Sequence, residues 1–194
     1  MVQIFLGNYA DRGPSSKSVI DLPIGRNRSH DMLYLKGNHE ALLLGFLEDP
    51  ETFEAWERVG GAETLGPYGL SPLLKEFPRR PSELAAFFDL ALPRSHRQFF
   101  AQLKTSFVCG DFFFAHAGVR PGIPLENQTE MDLLWIRRDF LLHQWEFGKI
   151  VVHGHSPVAK PQILTNRINI DTGAYLTGCL TCLKLDGGDG MSFI

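Results

Sequence analysis

Apolar residues recur along this chain in short dense runs separated by polar loops, and the spacing of each run predicts its element. Strand-like runs cover residues 2–6, 32–35, 107–109, 112–115, 150–152, 168–170, 180–185 and 192–194. Helical spacing predicts helices over 16–22, 39–47, 53–59, 82–92 and 95–103, with Ser82 as an N-cap and Pro93 as a stop. Gly110-Asp111 between two aromatic-rich runs predicts a hairpin turn, and the glycine-rich stretch 187–190 predicts another. Strand–helix alternation followed by a run of strands predicts a mixed α/β layered fold. The first apolar run begins with no lead-in, whereas a buried parallel strand has neighbours on both sides. An open edge is therefore expected beside residues 2–6, where a second copy of the chain could pair to give a homo-oligomer.

Composition narrows the function classes. The 194 residues suffice for a single domain, 1–194, with a sizeable core. A net charge of -3 argues against a nucleic-acid partner, because phosphate backbones need a concentrated basic surface. The local basic spots, Arg79-Arg80 and the pair Arg26 and Arg28, read as solvated loop charges. Three cysteines, Cys109, Cys179 and Cys182, make no disulfide framework. Cys179 and Cys182 fall in an alternating run, where residues three apart face opposite sides of a strand, so they read as ordinary strand residues of a reduced, cytoplasmic protein. No apolar run approaches the roughly 20 residues that cross a bilayer, so no membrane partner is expected. The segment 51–97, rich in aromatics and prolines and free of motifs, is expected to be a helical cap that recognises substrate.

Four apolar runs each end in a polar loop with glycine beside potential ligands. IFL leads into Gly7-Asn8-Tyr9-Ala10-Asp11-Arg12-Gly13, and MLYL into Lys36-Gly37-Asn38-His39-Glu40. FFFA leads into His116-Ala117-Gly118, and IVV into His153-Gly154-His155. Ligands of α/β folds bind where such loops converge, at the carboxyl ends of strands. Any one of these loops is ordinary: a single His after a strand is more often a hydrogen-bonded structural residue. Four in this order point to a site.

The loops carry a family resemblance. Gly7–Gly13 resembles the GDxxDRG motif of the PPP-type metallophosphoesterases, and residues 37–40 are their GNHE motif letter for letter. His116-Ala117-Gly118 resembles their HGG/HAG motif and Gly154-His155 their late GH motif. The stretches HAGVRPG, LLWIRRDF, VVHGHSPV and NIDTGAY are similar to the bacterial branch, which includes serine/threonine protein phosphatases and diadenosine-tetraphosphate hydrolases. The resemblance implies a calcineurin-like sandwich of two mixed sheets flanked by helices, and a metal-assisted attack of water on phosphorus. It implies that Asn38, His116 and His155 bind a metal, with Asn8 at the position that bridges two ions. One carboxamide oxygen and two imidazoles suit Mn²⁺ first, with Fe²⁺ or Zn²⁺ as alternatives. His39 is implied as general acid, Asp11 as the carboxylate that orients it, and Arg12 and Arg137 as phosphate-binding groups. His153 is expected to be structural, as are His30, His96 and His143, while Asp171-Thr172-Gly173 reads equally as a pocket rim or a strand-end turn.

Two departures from the family pattern shape the expected chemistry. The opening GDxHG motif, which supplies the other metal's Asp and His, is not among these residues, and with it the first strand–helix unit of the fold is missing. Asn8 stands where the family has an aspartate, and a carboxamide brings no charge. One ion rather than two, and impaired hydrolysis, are therefore expected. The leading expectation is a serine/threonine protein phosphatase acting on phosphate monoesters. The alternatives are a dinucleoside polyphosphate hydrolase and a phosphate-recognising module that does not hydrolyse. The partner is a phosphorylated protein or a nucleotide.

Overall fold

The computed structural model describes residues 2–26, 31–76, 80–186 and 190–194. Arg28, His30, Arg79 and residues 187–189 of the expected second turn lie outside the described residues. The chain divides into two compact units, Met1–Lys104 and Thr105–Ile194.

In the first unit, β1 (Val2–Phe5) is followed by α1 (Ser16–Arg26), β2 (Asp31–Tyr34) and α2 (Asn38–Glu48). A helical segment follows: α3 (Phe53–Glu57), α4 (Gly61–Leu65), α5 (Ser71–Glu76), α6 (Pro81–Ala91) and α7 (Arg94–Ala101). Strands β1 and β2 pair in parallel, Val2 opposite Asp31 through Phe5 opposite Tyr34, and β1 has no other strand beside it among the described residues. In α2, His39, Leu43 and Phe46 sit at i, i+4 and i+7 and are all buried, so the face that inserts into the core also carries a site histidine. Phe46 packs on Trp56 with ring centroids 5.1 Å apart, and Trp56 on Phe88 at 5.8 Å. This aromatic stack makes the helical segment part of the core.

The second unit contains β3 (Ser106–Cys109), β4 (Phe112–Ala115), α8 (Glu130–Trp135), α9 (Arg138–Leu141), β5 (Ile150–His153), β6 (Gln162–Ile163), β7 (Arg167–Asn169), α10 (Ala174–Thr177), β8 (Leu183–Leu185) and β9 (Met191–Phe193). Its main sheet has the order β3-β4-β5-β7-β6, with β4, β5 and β7 parallel at the centre and antiparallel strands at both edges. The central strands FFFA and IVVH are mainly apolar runs, as burial on both faces requires. Gly110-Asp111 turns the β3–β4 hairpin as expected.

Several boundaries differ from the sequence expectation. Helix α1 runs through Pro23 to Arg26 instead of stopping at residue 22. Helix α6 starts at Pro81, a favoured first helical position, with Arg80 rather than Ser82 as N-cap. Only Leu183–Leu185 of the expected strand 180–185 forms, so Cys179 and Cys182 lie outside it, both exposed. Helices α4, α5, α8, α9 and α10, each of four to six residues, escaped prediction because they are too short to show a helical repeat. No helix among the described residues is long and apolar enough to cross a membrane.

Candidate active site

The loop after β1 and the amino terminus of α2 are locked together by one side chain. Glu40, fully buried, accepts the backbone N–H of Asn8 (2.8 Å) and Gly37 (2.9 Å) on Oε2, and those of Tyr9 (2.7 Å) and Ala10 (3.2 Å) on Oε1. Burial pushes its carboxyl above the ordinary range, while the N–H donors and the His39 charge pull the other way. Four donors leave no acceptor for an acid proton, so the loop is built on the anion. The contact is close enough to require glycine at position 37, where a Cβ would lie 2.2 Å from Asn8 Oδ1.

Asp11 sits at the end of the same loop with its side chain buried. Its Oδ2 lies 2.7 Å from His39 Nδ1. Thr64 Oγ1 donates to Oδ1 at 2.7 Å, and Trp56 Nε1 donates to both oxygens at 3.1 Å. An ionised carboxylate only accepts, so Nδ1 carries the proton and Nε2 is the ring atom left to exchange one. The Asp11 N–H donates to Thr64 Oγ1 (2.8 Å) and Ser16 Oγ (3.2 Å). Arg12 is exposed, with its N–H on Gly60 O at 3.1 Å, and a Cβ at Gly60 (φ +103°) would lie 2.7 Å from Arg12 N. Four non-glycine residues of the described chain have positive φ: Asn8 (62°), Asp11 (77°), Arg12 (61°) and His155 (65°). All four belong to the motif loops, and left-handed backbone concentrates at functional sites.

In the second unit, His116 and His155 follow β4 and β5, and parallel pairing brings the two strand ends together. Both are buried, their ring centroids 5.0 Å apart and their planes at 62°. Gly154 N donates to His116 O at 2.8 Å and Ser156 N to Gly154 O at 2.8 Å, which shape the turn carrying His155. Trp135, the last residue of α8, is half-buried and nearly perpendicular to His155, with centroids 6.3 Å apart. Arg137 is exposed and donates to Ser156 Oγ at 3.3 Å. His153 is different: its Nδ1 donates to Gly154 O at 3.0 Å, it packs perpendicular to Phe140, and burial lowers its pKa to about 4. It is a neutral core histidine.

The structure thus brings Asp11 and His39 into direct contact, sets Asn8 and Asn38 on the two loops that Glu40 joins, and places His116 and His155 side by side with Arg137 tied to the neighbouring Ser156. Two adjacent imidazoles fit a transition ion as two of its donors. Among the described residues no group of three or more His, Cys, Asp or Glu converges as a metal cage, so further donors would be carboxamide, water or substrate oxygens. Glu40's role as a clamp, and the parts of Trp56, Thr64 and Ser16 in holding Asp11, went unseen in the sequence. Trp56 and Thr64 stand in a segment without motifs, although GNHE itself flagged Glu40.

A family model described as calcineurin-like phosphoesterase matches residues 1–182. A bis(5′-nucleosyl)-tetraphosphatase (asymmetrical) of Anoxybacillus flavithermus is 28% identical over 195 residues, covering 93% of this chain and 74% of the relative. Its counterpart from Oceanobacillus iheyensis is 28% identical over 196 residues, covering 93% and 72%. The crystal structure of a candidate diadenosine tetraphosphatase superposes with a TM-score of 0.67 at 19% identity, covering 98% of this chain and 78% of the other, a likeness of fold alone.

Proposed function

This chain belongs to the calcineurin-like phosphoesterases, and we propose that it is a divalent-metal-dependent hydrolase whose substrates are dinucleoside polyphosphates. The names of its relatives favour this reading over the phosphoprotein phosphatase expected first. The observation that carries a hydrolytic reading is the buried Asp11–His39 pair, whose carboxylate is held from Trp56 and Thr64 and whose imidazole has Nε2 left for proton transfer.

By the family resemblance, Asn38, His116 and His155 would hold a divalent metal, with Asn8 at the family's bridging position. A bound divalent ion would supply positive charge to the phosphoryl oxygens and acidify a water. The chain's own groups do the rest. Arg12 and Arg137 grip phosphate oxygens through planar guanidinium forks. As water adds to phosphorus and the bond to the leaving oxygen breaks, that oxygen takes a proton from His39 Nε2. Asp11 keeps Nδ1–H in place, so that Nε2 is the ring atom that delivers the proton. His39 is recharged by the proton that the water gives up. The neutral Asn8 makes turnover slow relative to a site with a bridging carboxylate.

The test is a comparison, with added Mn²⁺, of diadenosine tetraphosphate and a phosphoserine peptide. Turnover of the dinucleotide into a nucleoside triphosphate and a monophosphate, at a kcat/KM at least tenfold above the peptide's, is expected. A preference for the peptide refutes the reading.

A further inference from the structure

Trp135 has no part in proton transfer or metal binding, yet it stands against His155 with its indole only half-buried. A hydrogen-bonded framework fixes it there. Asp132, one turn earlier in α8, is gripped by Arg120 Nε at 2.8 Å and by Thr129 Oγ1 at 2.8 Å. Ala117 N, beside His116, donates to Leu133 O at 2.8 Å, and Ile136 N closes the helix on Asp132 O at 3.1 Å. The indole is therefore a rigid aromatic surface tied to both site histidines. Two residues on, Arg137 leaves the helix and reaches Ser156, the residue after His155. An aromatic plane, a guanidinium and an imidazole pair stand within one stretch of the fold, matching the base and the phosphate of a nucleotide.

We propose that Trp135 is the platform on which a nucleobase of the substrate stacks while its phosphate meets Arg137 and the His116–His155 pair. The proposal rests on the reading of this site as a nucleotide phosphohydrolase. Stacking needs only a π-face, so the platform accepts purines broadly and discriminates against phosphates that carry no base. Stacking of one base on an aromatic side chain contributes about 5- to 150-fold in affinity.

Calorimetry on the Mn²⁺-loaded chain with AMP and with ribose 5-phosphate isolates the base. The wild-type protein is expected to bind AMP at least about fivefold more tightly. Trp135→Ala should reduce that ratio to near one, with ribose 5-phosphate binding unchanged, and Trp135→Phe should keep most of it. Equal binding of the two ligands by the wild type overturns the proposal. So does a Trp135→Ala loss that is equal for both ligands, which would make Trp135 only a support for His155. Turnover of diadenosine tetraphosphate separates the two ideas: a protein that prefers AMP through Trp135 but never cleaves the dinucleotide refutes the hydrolase reading and leaves the platform standing.

Discussion

Glu40→Gln changes one atom of the site's framework, and the structure sets the size of its effect. Each carboxylate oxygen of Glu40 accepts two backbone N–H groups. Glutamine turns one of those oxygens into an NH₂ that faces two donors and can accept from neither. Two hydrogen bonds to a charged acceptor are lost, at about 1.5–3 kcal/mol each, or about 3–6 kcal/mol in sum. Removing a buried charge returns part of this, since burial already penalises the Glu40 anion. A net local destabilisation of about 2–4 kcal/mol is expected, which is large against the about 5–15 kcal/mol that holds a whole domain. Amide hydrogen exchange reads it at the site. If the cost is local, exchange of the Asn8, Tyr9, Ala10 and Gly37 protons should quicken by about 30- to 1,000-fold, with the β4–β5 amides of the second unit as internal reference. If Glu40→Gln exchanges those four protons within about fivefold of the wild type, the clamp is not what holds the loops.

Asp11→Asn should lower kcat by about 10²–10⁴-fold with little change in KM, because the amide would offer Nδ1 a donor and favour the wrong tautomer; steady-state kinetics checks this, and a fall of less than tenfold would remove His39 from the proton path. Asn8→Asp should tighten Mn²⁺ binding by about tenfold or less, since ligand charge tunes affinity and aspartate tolerates the same left-handed backbone; an unchanged calorimetric Kd would show that Asn8 does not face the ion. Arg120 holds the Asp132 pKa below the usual carboxylate range through its hydrogen bond, so the pair stabilises the fold above the unfolded pKa of about 4, and that contribution is lost as pH falls through the lowered folded value. Arg120→Gln should therefore be less stable than the wild type in urea at pH 7, with the gap closing below pH 4; a gap independent of pH would assign it to packing.

The candidate site residues were legible because chemistry constrains short stretches. GNHE places a carboxamide, an imidazole and a carboxylate at the first turn of one helix, and DRG places Asp11 within reach of His39. The apolar runs FFFA and IVV foretold strands ending just before His116 and near His155; that the strands pair in parallel and set the two rings side by side came from the structure. What was not legible depends on distance in the chain. Trp56 and Thr64 lie 45 and 53 residues from the Asp11 they hold, and no local spacing encodes such a contact. The sequence assigns Trp135, within LLWIRRDF, no role of its own, and only its half-buried position beside His155 separates it from a core residue.

The helical segment α3–α6 has a use in the site that follows from backbone strain. Asn8, Asp11 and Arg12 all hold positive φ within five residues, a conformation that costs of order 1 kcal/mol or more for most side chains and persists only where the surroundings enforce it. Glu40 enforces it from one side through the N–H groups of Asn8, Tyr9 and Ala10. The helical segment enforces it from the other, through Thr64 on the Asp11 backbone, Gly60 O on the Arg12 N–H, and Trp56 on the Asp11 carboxylate. The Trp56 ring is at the same time the centre of the stack between Phe46 of α2 and Phe88 of α6. Loosening that stack would therefore reach the Asp11–His39 hydrogen bond without touching His39 itself: the hydrophobic core of this unit and the geometry of that pair are joined through the Trp56 indole.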